Sequence, residues 1–114
     1  MNEAKLTTRL QGKLDNAQAN LNAFAQKFAT DPVHTLIWSQ STFEDAAKIE
    51  IYQDALNVIE NMQGEDVIQI IKDDAQYNLL RLTRSANNYS TSATDNLMND
   101  ARMKVLADLL EMLD

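Results

Sequence analysis

Apolar residues recur along this chain at helical spacing and nowhere in the strict alternation of a strand. Leu10, Leu14, Ala17, Leu21, Phe24 and Phe28 follow one another at intervals of four, three, four, three and four. That spacing predicts a first helix over about residues 3–29 with a narrow seam of coiled-coil type. Phe43, Ala47, Ile51, Tyr52, Ala55, Val58, Ile59 and Met62 cover about half of a helical wheel and predict a second long helix over about 42–62, apolar enough to be central. Ile68, Ile71, Ala75, Leu79 and Leu82, widened by Val67, Ile70, Tyr77 and Leu80, predict a third helix over about 66–85. A fourth, over about 94–113, carries Leu97, Met98, Ala101, Val105, Leu106, Leu109, Leu110, Met112 and Leu113 and is apolar almost to its end.

The breaks between these patterns have local causes. Asp31 can cap and Pro32 can open a short helical turn over 32–38, because proline fixes its backbone for a first helical position and needs no N–H bond there. Ser41 and Glu44 stand in capping-box relation and are expected to start the second long helix. Gly64 follows the end of that helix, where glycine is favoured. Ser85, Asn87, Asn88, Ser90, Thr91, Ser92 and Thr94 compete with helical backbone bonding and predict a loop over 86–93. The expected fold is all-α: one domain over residues 1–114, a four-helix bundle-like arrangement of mostly antiparallel neighbours with the extra turn at 32–38.

Charge is distributed unevenly over this frame. The formal net charge is −7. Residues 31–66 hold the carboxylates Asp31, Glu44, Asp45, Glu50, Asp54, Glu60, Glu65 and Asp66 against Lys48 alone, whereas Lys5, Arg9, Lys13 and Lys27 outnumber Glu3 and Asp15 before them. A sequence pI near 4.5 disfavours direct binding of nucleic acid, which rests on Lys and Arg displacing counterions from phosphates. Cysteine is absent, which removes disulfides, thiolate nucleophiles and sulfur-ligated metal. No stretch reaches the roughly 18 apolar residues of a membrane span, and the opening MNEAKLTTRL lacks the apolar core of a signal peptide. A cytoplasmic protein without a membrane partner is expected.

Candidate chemistries are few. His34 is the only histidine and has no Glu-x-x-His, His-x-x-x-His or cysteine companion, so it reads as a structural or surface residue. Glu65 and Asp66 suit the first turn of the third helix, and the adjacent Asp73 and Asp74 diverge by about 100 degrees on the wheel, so neither pair forms a metal-binding ladder. No Gly-x-Ser-x-Gly elbow accompanies the hydroxyls near 90–94, and Gly12 and Gly64 are too isolated for a phosphate loop. The chain is therefore expected not to be an enzyme and to need no cofactor or metal. Lys5, Arg9 and Lys13 recur every four residues as a solvated ridge or a complement to the acidic second long helix.

Surfaces remain as the means of action. The seam of the first helix and the apolar end of the fourth offer more packing face than a lone bundle needs, and Trp38, in an apolar connector, either seals the core or serves as the best candidate for an anchor. The expected function is a non-enzymatic helical interaction or assembly protein, self-associating or part of a larger complex. Its contacts are expected at Leu10, Leu14, Leu21, Phe24, Trp38, Leu109 and Met112. The alternative is an acidic inhibitor or nucleic-acid mimic of the phage counter-defence type, presenting Glu50, Asp54 and Glu60 to a basic groove. Small size, acidity, helicity and lack of cysteine resemble compact phage or mobile-element accessory proteins in composition, a likeness that assigns no residue a role.

Overall fold

Asn2 starts the first helix. Its side-chain Oδ1 accepts a hydrogen bond from the Lys5 N–H at 2.8 Å, and Glu3 adds negative charge to the first turn, both favourable at a helix N-terminus. The resulting helix α1 (Glu3–Thr30) is followed by α2 (Pro32–Ile37), α3 (Gln40–Asn61), α4 (Val67–Ser85) and α5 (Ala93–Leu113). The computed structural model describes residues 2–37, 40–62, 66–85 and 93–114. The chain is all-α and bundle-like; among the described residues there are four long helices and one short one, and no strand.

The boundaries follow backbone accounting. Asp31 closes α1 by donating its N–H to the Lys27 carbonyl at 2.8 Å, and its own carbonyl accepts the Thr35 N–H at 3.1 Å, so one residue ends a helix and opens the next. Pro32 then occupies the first position of α2, as expected. Asp66 precedes α4 rather than lying inside it: its Oδ1 accepts the Gln69 N–H at 3.3 Å and its carbonyl accepts the Ile70 N–H at 3.1 Å. The start of α3 differs from the expected one. Helix begins at Gln40, so Ser41 is already inside the first turn, and the Glu44 carboxylate is turned to Lys48 at 3.8 Å and Lys104 at 3.2 Å instead of back to the chain start. The expected contact at Trp38, the Gly64 cap, Glu65 and all but the last residue of the loop expected over 86–93 lie outside the described residues.

In space the long helices run in the order α1, α3, α5, α4. α3 packs on α1 and α5, α5 packs on α3 and α4, and α3 touches α4 only lightly. Sequence dictates this order. α1 and α4 are more one-sided in their apolar residues than α3 and α5, which carry them around more of the circumference, as helices with neighbours on two sides must. The core joins Leu6 and Leu10 of α1, Ala47, Tyr52, Ala55 and Ile59 of α3, Val67, Ile71, Ala75 and Leu82 of α4, and Val105, Leu106, Leu109 and Leu113 of α5. α4 and α5 run antiparallel, since Lys72 reaches Asp114 at 2.9 Å and Thr83 reaches the Met103 sulfur at 3.9 Å.

The array is open. Its radius of gyration is 15.6 Å and its extents are 49 × 33 × 21 Å, against about 13 Å for a compact domain of this length. Part of the excess is α1, whose 28 residues extend about 42 Å at 1.5 Å each. Only about its first half carries buried residues, Leu6, Leu10, Leu14 and Ala17. Gly12 lies on its outer side, where an added Cβ would meet nothing within 4 Å. Gly12→Ala should therefore raise the unfolding free energy by about 0.5–1 kcal/mol, by lowering the entropy of the unfolded chain and improving helix propensity. Urea unfolding followed by circular dichroism checks this, and a loss of stability would place a neighbour against that side of α1.

Candidate functional site

Burial decides which of the expected contact residues are surfaces. Leu10, Leu14 and Leu109 are all buried inside the chain's own core, so they cannot meet a partner in the folded protein. This corrects the seam reading of α1: spacing identifies an apolar face but not its occupant, and the helix that packs most extensively on α1 is α3. Leu21, Phe24 and Met112 keep part of their surface. Phe24 stacks on Phe28 with ring centroids 6.2 Å apart, and Phe28 remains 42 % exposed, because the last turns of α1 extend past the cover that α3 gives the earlier ones.

That overhang shapes a concavity. An open groove of about 610 Å³ lies between the last third of α1, α2 and the start of α3, lined by Phe24, Lys27, Thr35, Glu44, Asp45 and Lys48 among others. Of its lining residues, Asn20 donates to Asp45 at 3.4 Å, and the Thr35 hydroxyl donates to the Asp31 carbonyl. Carboxylates and ammonium groups are mixed within it, so its field favours no single sign of ligand.

The acidic ridge is not a uniform row. Glu50 is held in a two-pronged pair, its two oxygens accepting from Nε and one terminal nitrogen of Arg102 at 3.2 and 3.1 Å. Glu44 is paired with Lys104. The acidic α3 is thus complemented by α5. Among the described residues, Lys5, Arg9 and Lys13 form no ion pair and lie exposed on α1, as a solvated ridge. Asp54 and Glu60 are exposed. Partial burial, with Glu50 and Asp74 nearby, holds the Asp54 carboxyl above its ordinary range.

Asp54 and Asp74 both line a small cavity of about 60 Å³, floored by Ile51, Ile71 and Leu106, where α3 and α4 fail to close on each other. Repulsion between these carboxylates works against closure. Because the folded pKa is raised, the favourable contribution of Asp54 is complete below its unfolded pKa and is lost as pH rises through the folded value. Asp54→Asn should consequently raise the melting temperature at pH 7, with the gain disappearing in acid below the unfolded carboxyl pKa. A variant less stable than wild type at pH 7 would mean that ionised Asp54 has a favourable partner.

Two residues that spacing misplaced are on α4. Tyr77 and Leu80, expected to widen the core face, are 65 % and 51 % exposed. α4 meets mainly α5, so its apolar arc is broader than the cleft that receives it. Asp73, Arg81 and Arg84 share this outward side by the 100-degree rule, and that company is the signal by which the sequence could have placed Tyr77 and Leu80 outside. Among the described residues no group of three or more His, Cys, Asp or Glu side chains is arranged to hold a metal, and no helix is long and apolar enough to cross a membrane. Comparison of the chain with protein-family models, with curated proteins and with solved structures finds no match.

Proposed function

We propose that this chain is a non-enzymatic helical assembly protein of the cytoplasm that acts by associating with further copies of itself through outward helix faces. One observation carries the reading: the open array exposes 7489 Å², against about 6,300 Å² for a compact monomer of this mass, and large apolar side chains stand on that surface. Phe28 and Val33 mark one end of the array, Tyr77 and Leu80 the outer side of α4. Apolar side chains grouped on exposed faces are what association covers.

Light scattering of the whole chain over a tenfold concentration range, at low and high salt, tests it. A mass that rises toward a dimer or larger species and survives high salt supports association through apolar contact. A monomer mass under all conditions overturns it. The second reading, an acidic inhibitor fitting a basic groove, draws on the exposed carboxylates Asp54 and Glu60. It requires Glu50 to leave Arg102, and it predicts binding to a basic protein that weakens steeply with salt and with Asp54→Asn.

A further inference from the structure

The outward side of α4 carries a pattern that its core side does not need. Asp66, Ile70, Asp73, Tyr77, Leu80 and Arg84 follow at intervals of four, three, four, three and four, one stripe along the helix. It lies on the side away from the buried Val67, Ile71, Ala75 and Leu82. Tyr77 and Leu80 form its exposed apolar middle. Its charges are segregated: the acids occupy the N-terminal half, and Arg84, with Arg81 beside it, the C-terminal half. Among the described residues neither arginine forms an ion pair. Asp73 accepts only from the Gln69 side-chain amide, at 2.8 Å.

Resting on the self-association reading, we infer that this stripe is the contact face of a homodimer in which α4 packs antiparallel on α4 of a second copy. Charge decides the direction. Parallel pairing sets carboxylates beside carboxylates and guanidiniums beside guanidiniums, whereas a two-fold antiparallel pairing lays each acidic half on a basic half, at both ends at once. Placing Tyr77 against the partner's Leu80 brings Asp73 opposite the partner's Arg84, and the two-fold repeats both contacts. The apolar middle supplies the attraction and the charges set direction and register. The matched segment, residues 73–84, is short, about 17 Å of helix. Its area falls well below the roughly 1,600 Å² of a standard interface, so the dimer is weak and concentration-dependent.

Sedimentation of the full chain from about 10 μM to 1 mM tests the inference, using wild type, Asp73→Arg, Arg84→Asp and an equimolar mixture of the two variants, each first checked for helicity. Wild type should pass from monomer to dimer over this range. Each variant alone should associate about tenfold or more weakly, since both copies of the contact become repulsive. The mixture should recover a dimer of one copy of each, because the new cation of one variant then meets the new carboxylate of the other. Two monomeric variants whose mixture also stays monomeric overturn the antiparallel register. Variants that dimerise like wild type, while Phe28→Ser lowers the mass, overturn the α4 face and leave the self-association reading standing. A wild type that is monomeric throughout overturns both.

Discussion

Replacing Leu10 by alanine is expected to lower the unfolding free energy by about 2–5 kcal/mol, a large share of the stability of a domain this size. Leu10 is fully buried, as is Leu6 one turn earlier, and the two belong to the cluster that joins α1 to Tyr52, Ala55 and Ile59 of α3. Truncation removes transfer energy and leaves a cavity that helices fixed by other contacts cannot close fully. The same change at Leu21, half-buried and near the groove, should cost about 1 kcal/mol or less, since much of that side chain stays in solvent. Urea titrations of both variants, with masses measured in parallel, separate the roles of the seam. Leu10→Ala should shift the unfolding midpoint strongly with little change in the mass of the folded protein. A stable Leu10→Ala variant with a lowered mass would mean that the seam meets a second copy after all.

Periodicity made the helices legible because burying one face of a helix leaves a 3.6-residue trace whatever lies opposite. Four long helices and a short turn opening at Pro32 could be read for that reason, and so could the central place of α3, whose apolar residues extend beyond one face. Occupancy could not be read. Leu14 and Leu21 stand in the same seam, yet one is buried and the other half-buried, and only the position of α3 along α1 separates them. Tyr77 and Leu80 erred the other way, as their apolar character suggested a core that α5 alone does not provide. The pairing of Glu44 with Lys104 of α5 was not legible in the capping pattern, because a glutamate three residues into a helix can face the chain start or pair across to another helix. The complement to the acidic α3 came from Arg102 and Lys104 rather than from the basic ridge of α1, a choice between two sets of cations that linear sequence leaves open.

Alkaline titration should expose Tyr52 as the group that limits stability at high pH. The side chain is almost fully buried on α3. Burial first, then the neighbouring carboxylates of Asp108 and Glu44, push its phenol up from 10.0 to about 12, because a phenolate there loses hydration and meets negative charge. Below pH 10 the phenol is neutral in both folded and unfolded chains, so its effect on folding is constant. Between pH 10 and 12 the unfolded chain releases this proton and the folded one keeps it, so stability falls as pH rises, by roughly 2–3 kcal/mol in all at about 1.4 kcal/mol per pH unit. The Tyr52 contribution is read as a difference between wild type and Tyr52→Phe. The variant should match wild type within about 1 kcal/mol at pH 7, where only a hydroxyl is lost, and should become the more stable protein by pH 12. The 295 nm difference spectrum between the two should show its phenolate transition near pH 12, merging with the loss of helical signal. A Tyr52 transition centred at pH 10, with parallel stability curves for the two proteins, would place the hydroxyl in water and remove Tyr52 from the α3–α5 core.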